Sequence, residues 1–377
     1  MLTLALPLGN TFGWGICGKY LARELAKLSQ VRLVASPFEL QDIGNEFEYI
    51  ELLRIAADRE SALSSAADGP VLQAITGAEL LPMAPDIRGK RNAGYAFIEN
   101  SNLPQASLDN ARAHFDLVVA GSTWCQEVLR AHGMEQTAVV FQGVDQAIFN
   151  MYENRKAFFG ERFVVFSGGK FELRKGQDIV MRAFRVLQER HDDVLLVNAW
   201  FNHWEGSIRS MAASPHIDFD YQGGDHCAAI NRLLSENGIN LRNVVTLPAK
   251  PQIAMAQIYK NSDCGLFPNR CEGGTNMALM EYMACGKPAI VSNSSGHRDM
   301  ANDGNAMLLK RLRPLTLSVG GQATVWDEPS LDEAIEALEW AYQHREALDD
   351  IGEAAGWSMQ AHSWAAAAAQ FHALLTA

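Results

Sequence analysis

Short apolar runs rich in β-branched residues alternate with helix-forming stretches along almost the whole chain. This alternation is typical of βαβ units, in which helices connect parallel strands. In the first half the pattern predicts strands at Leu2–Leu8, Val31–Ser36, Ala96–Ile98, Leu117–Ala120 and Ala138–Phe141. Helices are predicted between these strands at Lys19–Leu28 and Thr123–Ala131, the second with Ser122 as its N-cap.

The alternation stops at Gly143–Gly160, which we interpret as a linker, and then restarts. The second half contains predicted strands at Phe163–Ser167, Val194–Ala199, Val244–Leu247, Cys264–Phe267 and Ala289–Ser292. Its predicted helices are Gly176–Arg190, Ala228–Asn237 and Ile253–Asn261. A long polar loop to about Pro329, an amphipathic helix at Ser330–Asp349 and an alanine-rich final segment complete the pattern.

Two such units joined by a linker predict an α/β fold of two Rossmann-like, doubly wound domains that face each other across a cleft. A chain of 377 residues also exceeds the size at which one core keeps growing. We place the first domain at 1–155 plus about 357–377, and the second at 156–356. Open parallel sheets bind ligands outside the carboxyl ends of their strands, so the loops after the strands are where a site is expected.

The composition argues against several classes of function. A net charge of −12 is unfavourable for nucleic-acid binding, which depends on clustered Lys and Arg. No apolar run has the length of a transmembrane helix. The six cysteines form no C-x-x-C pair and have no histidine at zinc spacing. We therefore expect reduced thiols, a cytoplasmic location and no metal site.

A basic loop follows the predicted strand Phe163–Ser167. Gly169 allows a sharp turn, after which Lys170, Arg174 and Lys175 bring three cations to the strand end. Such donors suit a diphosphate, above all one that departs as a leaving group. The alternative is a solvated basic turn; the position favours binding for the two lysines and leaves Arg174 open.

The most distinctive segment places two glutamates around a helix start. Glu272 precedes the turn Gly273, Gly274, Thr275 and Asn276, and Glu281 lies inside the helix that follows. Backbone N–H groups at a helix start attract anions, and glycines let a phosphate approach closely. Isolated helical glutamates usually face solvent, but Glu281 lies among apolar residues and its charge needs a partner. Diphosphate plus polyol is the chemical outline of a nucleotide sugar.

Two further loops lie in the first half. Gly13 and Gly15 open a G-x-G-x-x-G pattern, which begins too far beyond the strand for a typical dinucleotide site. We interpret these glycines as a flexible loop that reaches a ligand phosphate across the cleft. Glu99 and Asn100 follow the predicted strand Ala96–Ile98, where Glu99 could bind or activate an acceptor hydroxyl or, equally, help to cap the next helix.

Together these stretches resemble the retaining glycosyltransferases of family four, which have the GT-B fold. The resemblance covers nearly the whole chain and rests on the loop at Gly13 and Gly15, Val140–Phe149, Gly169–Gly176 and Glu272–Pro288. Val140–Phe149 is similar to the family's N-G-V-D-x-x-x-F linker, and Glu272–Pro288 to its paired-glutamate signature ending in E-x-M-A-x-G-x-P. Eight residues separate Glu272 from Glu281, one more than in that signature, and we expect the loop to absorb the extra residue.

The resemblance implies roles for individual residues. Lys170, where the family has Arg, and Lys175 would bind the donor diphosphate, which the amides around Gly274 and Thr275 would face. Glu281 would hold the ribose hydroxyls, and Glu272 would contact the transferred sugar. The predicted catalytic residues are accordingly Glu99, Lys170, Lys175 and Glu272. The predicted substrate-binding residues are Gly13, Gly15, Asn100, Gly169, Arg174, Gly273, Gly274, Thr275, Asn276 and Glu281.

The implied reaction is a metal-independent hexosyl transfer with retention, from a nucleoside-diphosphate sugar to an acceptor hydroxyl. No cofactor is implied beyond this co-substrate. The acceptor would be a glycan, a lipid-linked sugar or a protein, in the synthesis of surface polysaccharide or glycolipid or in protein glycosylation. Three alternatives stay open: a nucleotide-sugar epimerase of the same fold, an NAD-dependent oxidoreductase built on Gly13–Gly18, and a catalytically silent sugar-binding module.

Overall fold

The computed structural model describes residues 1–58, 60, 63, 68–319 and 321–377. Its strands are β1 Leu2–Ala5, β2 Val31–Val34, β3 Pro70–Thr76, β4 Leu81–Pro82, β5 Arg91–Ala96, β6 Leu117–Ala120, β7 Thr137–Val139, β8 Phe163–Gly168, β9 Val194–Ala199, β10 Val244–Thr246, β11 Cys264–Phe267, β12 Ala289–Ser292, β13 Met307–Leu309, β14 Leu312–Val319 and β15 Gln322–Pro329. Its α-helices are Gly13–Leu28, Leu40–Ile43, Glu46–Ile55, Gln105–His114, Thr123–Ala131, Gln177–Arg190, Glu205–Ile208, His226–Glu236, Gln252–Lys260, Met277–Ala284, Leu331–Gln343, Leu348–Met359 and Trp364–Thr376.

The first domain is built on a sheet with the strand order β2-β1-β3-β5-β6-β7. These six strands are parallel, and the short β4 pairs with β3 in the antiparallel sense. Strands β1 and β6 are buried along their whole length, as expected for a sheet covered on both faces. The segments after β1 and β5 contact the second domain: the N–H of Gln252 donates to the Asn10 carbonyl at 2.9 Å, and Glu99 lies 2.8 Å from Arg174.

The second domain is built on a fully parallel sheet with the order β10-β9-β8-β11-β12-β13. Its central strands β8 and β11 are completely buried. Tyr282, from the helix Met277–Ala284, stacks on Phe166 of β8 with ring centroids 5.4 Å apart. Because β8 and β11 are neighbours, the loops after them, which carry the predicted basic and glutamate motifs, lie side by side.

The final helix, Trp364–Thr376, packs in the core of the first domain. Its Trp364 and Phe371 belong to the same cluster of buried side chains as Leu4 and Tyr95. The ring of Trp364 stacks on Tyr20 at 5.4 Å with the planes 5° apart. The chain therefore crosses between the domains twice, and the two crossings touch where the amide of Val144 donates to the carbonyl of His362 at 2.8 Å.

A β-hairpin takes the place of the polar loop expected before Pro329. Strands β14 and β15 pair in the antiparallel sense from Leu312↔Pro329 to Val319↔Gln322. The prediction of a loop was wrong. The apolar residues of β14 alternate with polar ones, which is the pattern of a half-buried strand, but the segment contains no continuous apolar run. The hairpin packs against both domains.

Other element predictions need correction at their ends. The first helix begins at Gly13 and not at Lys19, so the glycine pattern is helical. The predicted strand Ala96–Ile98 lies at and beyond the end of β5, which runs from Arg91 to Ala96. The predicted helix Ser330–Asp349 is divided, because a 3-10 turn at Arg345–Ala347 separates Leu331–Gln343 from Leu348–Met359. Strand β3, with no predicted counterpart, lies in the middle of the first sheet.

Candidate active site

Arg174 lies at the centre of a cluster of charges between the two domains. Its Nη2 is 2.6 Å from Oε1 of Glu172 and 2.8 Å from Oε1 of Glu99, which belongs to the first domain. Its Nη1 is 3.0 Å from Oε2 of Glu272 and donates to the carbonyl of Cys271 at 2.8 Å. The side chain is 5% exposed. Arg174 is therefore a buried organiser of three carboxylates and not part of a solvated basic turn.

Glu272 and Lys175 form a buried ion pair within this cluster. Nζ of Lys175 is 2.6 Å from Oε1 of Glu272, which also accepts a hydrogen bond from the Asn269 side chain. The backbone N–H of Glu272 donates to Oγ of Ser295 at 2.7 Å. Burial by itself raises the pKa of Glu272, but the charges of Lys175 and Arg174 outweigh this effect and lower the pKa to about 2. Burial also lowers the pKa of Lys175 against the opposing effect of Glu272. The glutamate is thus ionised and fixed.

Lys170 is the most accessible cation of the cluster. Its side chain is 38% exposed, and its Nζ lies 3.4 Å from Oε2 of Glu172 and 5.1 Å from the centre of the Trp204 ring. Gly169 before it has a φ of +111°, a conformation that favours glycine, and its N–H donates to the carbonyl of Ala199 at 3.2 Å. The backbone thereby turns sharply after β8 and presents Lys170 to the cleft.

Gly273 and Gly274 lie where the second domain touches the first. A Cβ at Gly273 would be 2.4 Å from the carbonyl oxygen of Ile98, and one at Gly274 would be 2.8 Å from the Phe97 ring. Oγ of Ser122 donates to the Gly273 carbonyl at 2.8 Å. Only glycine permits this approach, so Gly273 and Gly274 allow the two domains to come into close contact.

Thr275 and Asn276 complete the turn that precedes the helix Met277–Ala284. Thr275 is fully buried, with its Oγ1 2.9 Å from Sδ of Met280. Asn276 is the N-cap residue, has a φ of +60°, and makes no side-chain capping hydrogen bond. Its Nδ2 instead lies 3.0 Å from Nε2 of His297. The first N–H groups of this helix are therefore not capped by the Asn276 side chain and can bind an anion.

Glu281 is buried inside the same helix and has protein partners that the sequence did not indicate. Its Oε1 accepts from Nε2 of Gln252 at 2.5 Å, and its Oε2 from the hydroxyl of Tyr259 at 3.2 Å. Burial raises its pKa to about 7, although these two hydrogen bonds act in the opposite direction. Among the described residues, Oε1 of Gln252 and Oδ1 of Asn198 are buried acceptors without a partner. Such orphaned acceptors are costly unless a ligand donates to them.

Gly13 and Gly15 form the first turn of a helix, which corrects their interpretation as a flexible loop. A Cβ at Gly15 would lie 2.6 Å from the backbone nitrogen of Gly9, so this glycine allows the helix to pack on the segment after β1. At Gly13 the nearest atom to such a Cβ would be the methyl group of Met277, at 3.5 Å. Gly13 therefore faces the start of the helix that carries Glu281.

Glu99 and Asn100 lie at the cleft, three residues and more beyond the end of β5. The Glu99 side chain is 42% exposed and is joined to the second domain by its contact with Arg174. Loss of solvent between the domains raises the pKa of Glu99, while Arg174 lowers it. Oδ1 of Asn100 accepts from the N–H of Asn102, and its Nδ2 lies 3.4 Å from Oε1 of Gln322 in β15.

Two buried residues beneath the site were not predicted. Arg270 is fully buried and forms a two-pronged contact with Asp178, each N–O distance being 2.8 Å, and a second with Glu328. His297 is also fully buried, and burial lowers its pKa to about 4, so it is neutral. The partners of Arg270 are remote in sequence, so no local pattern indicates this network.

Two general findings concern the residues that the structure describes. They contain no group of three or more His, Cys, Asp or Glu side chains placed to hold a metal ion. Within the same part of the chain, every helix is too short or too polar to cross a bilayer.

Residues 161–314 match the family described as glycosyl transferases group 1. This region runs from β8 through β13 and contains Lys170, Lys175, Glu272 and Glu281. No curated protein matches the chain in sequence.

Solved structures of glycosyltransferases share the fold over the full length. Sucrose-phosphate synthase from Thermosynechococcus elongatus is 14% identical, with a TM-score of 0.72 over 99% of this chain and 98% of that one. HepE from Anabaena, solved with UDP-glucose, is 15% identical, with a TM-score of 0.68 over 100% and 99%. α,α-Trehalose 6-phosphate synthase from Burkholderia multivorans is 14% identical, with a TM-score of 0.64 over 100% and 98%.

Neither the family match nor these structures favour the epimerase or the oxidoreductase hypothesis. At such low identity the structures establish the fold alone, whereas the family match covers the region with the clustered charges. Residues 161–314 thus match the group 1 glycosyl transferase family, and the chain as a whole has the GT-B fold; together these findings support a glycosyltransferase enzyme.

Proposed function

We propose that the enzyme transfers a sugar from a nucleoside-diphosphate sugar to an acceptor hydroxyl, with retention and without a metal ion. The acceptor is a hydroxyl group of a glycan, a lipid-linked sugar or a protein. The observation that carries the proposal is the position of the lysine loop beside the helix start. A Cβ at Gly168 would lie 3.9 Å from Cβ of Ala278, in the first turn of the helix Met277–Ala284.

Charge balance suggests how a diphosphate binds. The three carboxylates Glu99, Glu172 and Glu272 face the three cations Lys170, Arg174 and Lys175, so the cluster is neutral, 3 − 3 = 0. Attraction of the diphosphate therefore depends on the N–H groups at the start of the helix Met277–Ala284 and on a cation that can exchange its carboxylate partner for a phosphate. Lys170 is 38% exposed, against 10% for Lys175 and 5% for Arg174, and it can turn from Glu172 to a phosphate.

The nucleoside part of the donor substrate fits the buried polar residues around Glu281. Ribose hydroxyls can donate to Glu281 in place of Gln252 and Tyr259, and the nucleotide can donate to the unpaired Oε1 of Gln252. Ionised Glu272 offers its carboxylate to the hydroxyls of the transferred sugar. HepE was solved with UDP and with UDP-glucose, which makes a uridine donor the first to test.

Retention requires the acceptor hydroxyl to attack from the face on which the diphosphate departs. Glu99, on the acceptor side, lies only 2.8 Å from Arg174 in the cation cluster, which supports this arrangement. Glu99 binds the acceptor hydroxyl. As its oxygen bonds to the anomeric carbon, the bond from that carbon to the diphosphate oxygen breaks and the hydroxyl proton passes to the departing diphosphate, whose negative charge Lys170, Lys175 and the helix amides stabilise. Arg174 holds the carboxylates in place.

Thermal-shift measurements with UDP, GDP, ADP and their sugars identify the donor, and kinetics of Lys175→Ala and Glu281→Ala test the site. We expect a loss of roughly 100-fold or more in kcat for Lys175→Ala, the scale for one charge-stabilising donor. Lys310→Ala is the matched control, because its amine forms an exposed pair with Asp303. Near-normal turnover by both site variants, with their fold confirmed by circular dichroism, would contradict the proposal.

A further inference from the structure

The hairpin β14–β15 holds the loop that carries Glu99. Nε1 of Trp326 donates to the Glu99 carbonyl at 2.7 Å. The N–H of Ser101 donates to Oγ1 of Thr324 at 3.0 Å, and the hydroxyls of these two residues are 3.2 Å apart. The N–H of Val325 donates to Oγ of Ser101 at 2.8 Å. Three consecutive residues of β15 thus bind both ends of the segment Glu99–Ser101.

The side chains of Thr324 and Trp326 lie on the same face of β15, because successive side chains of a strand alternate between its two faces. Residues 322, 324, 326 and 328 of β15 point to the same side, and Thr324 and Trp326 are 1% and 6% exposed. Thr316 of β14 is exposed, as is its cross-strand partner Val325 on the other face. The face that carries Thr324 and Trp326, here called the inner face, therefore packs against the first domain and against the core of the second domain, to which Trp326 also belongs.

The base of the hairpin is fixed to the second domain. Glu328 pairs with the buried Arg270, and Oδ2 of Asp327 accepts from Oγ of Ser294 at 2.8 Å. Arg270 stands two residues before Glu272 in the loop after β11. The hairpin consequently links the donor-side glutamate loop to the acceptor-side loop through buried side-chain contacts. It lies almost entirely beyond residue 314, where the family match ends.

We propose that the hairpin is the acceptor-positioning element of the enzyme: Thr324 and Trp326 hold the backbone of Glu99–Ser101 and thereby position the Glu99 side chain, and Asn100 with Gln322 receives a neutral, hydroxyl-rich acceptor. The two amide side chains lie 3.4 Å apart at the hairpin tip and are half-buried, so they border the cleft. The amide groups of Asn100 and Gln322 carry no charge and can both donate to and accept from sugar hydroxyls. The inference rests on the proposed transfer reaction.

The test compares Thr324→Val and Trp326→Phe with Thr316→Val. The control makes the same Thr-to-Val exchange on the outer face of the same hairpin. For each variant two rates are measured with the donor found by thermal shift: transfer to p-nitrophenyl hexosides, and hydrolysis of the donor without an acceptor. We expect kcat/KM for the acceptor to fall roughly tenfold in the two inner-face variants, the scale of one or two hydrogen bonds. Hydrolysis and nucleotide binding stay within twofold.

Equal losses of transfer and hydrolysis would overturn the proposal, because they indicate a general structural role. Unchanged transfer in both inner-face variants would overturn it as well. If the wild type binds no nucleotide, the proposed function fails separately, and hydrogen exchange then tests the positioning. Thr324→Val should speed exchange of residues 99–103 relative to Thr316→Val, and equal exchange in the two variants would refute the contact's role.

Discussion

Replacing Arg270 with methionine tests whether the buried ion network supports the site. Arg270 makes two-pronged contacts with Asp178 and Glu328 and donates to the Leu173 carbonyl at 2.6 Å. The side chains of Asp178 and Glu328 are 0% and 1% exposed. Methionine has a similar length but no donor, so both buried carboxylates would lose the guanidinium that they share, although Glu328 would keep His216, whose Nε2 is 2.7 Å away.

The size of the effect follows from that burial. Removing one partner of a buried ion pair costs about 3–5 kcal/mol, because an uncompensated charge remains. For domains of this size each kcal/mol lowers Tm by about 2–4 °C, so we expect a fall of roughly 6–20 °C. In the wild type, His216 and Arg270 hold the pKa of Glu328 at about 2 against the effect of burial. Without Arg270 that pKa rises, so the deficit should shrink between neutral pH and pH 4.

Scanning calorimetry at pH 7.5 and pH 4.5 provides the assay. Arg345→Met is the matched control, because Arg345 pairs with Asp193 at 2.7 Å on the surface, where both side chains are more than a third exposed. Such a pair contributes about 0–1 kcal/mol. A Tm for Arg270→Met within 2 °C of the control, the scale of about 1 kcal/mol, would refute the reasoning. So would a deficit that grows as the pH falls.

Two further predictions concern Glu281 and Gly273. Burial raises the pKa of Glu281 to about 7, so the folded state favours the neutral form and loses stability as pH rises from about 4.5 through 7. Glu281→Gln should therefore raise the urea midpoint at pH 8 but not at pH 4.5, and equal midpoints for variant and wild type at pH 8 would contradict this. Gly273→Ala should open the cleft, because the added Cβ would meet the Ile98 carbonyl at 2.4 Å. We expect a larger radius of gyration by X-ray scattering and lower turnover, whereas Gly206→Ala, where a Cβ meets nothing within 4 Å, should change neither.

Much of the fold could be predicted because its signals are local. The buried strands β8, β11 and β12 are apolar except for Ser167 and Ser292 near their ends, and each predicted span overlaps the observed one. Because parallel strands have their carboxyl ends at one edge of the sheet, the Lys170 and Glu272 loops are expected at the same edge, and the structure adds that β8 and β11 are neighbours. This is why the two motifs could be joined into one site before any contact was known.

The hairpin β14–β15 has a sequence pattern from which it can be predicted. Leu315, Leu317 and Val319 alternate with polar residues, and two glycines at 320 and 321 separate them from the second strand. Alternation followed by a two-residue glycine turn is a strong hairpin pattern. Position 320 itself lies outside the described residues, but β14 and β15 on either side show the pairing.

The contacts within the site could not be predicted, because they join residues that are distant in sequence. Glu281 meets Gln252, Arg174 meets Glu99, and Arg270 meets Glu328. No spacing rule relates these positions, since each pair depends on how the domains and loops pack. The sequence therefore indicated the charged residues of the site but not which of them are paired.

The return of the final helix to the first domain has a consequence for how the protein is made. Trp364 and Phe371 complete a core whose other members, such as Leu4 and Tyr95, are synthesised before the entire second domain. Domains commonly fold in the order in which they leave the ribosome. Here the second domain, whose core lies between the crossings, can finish first. The first domain, in contrast, keeps part of its apolar surface unfilled until residues 364–371 have been made.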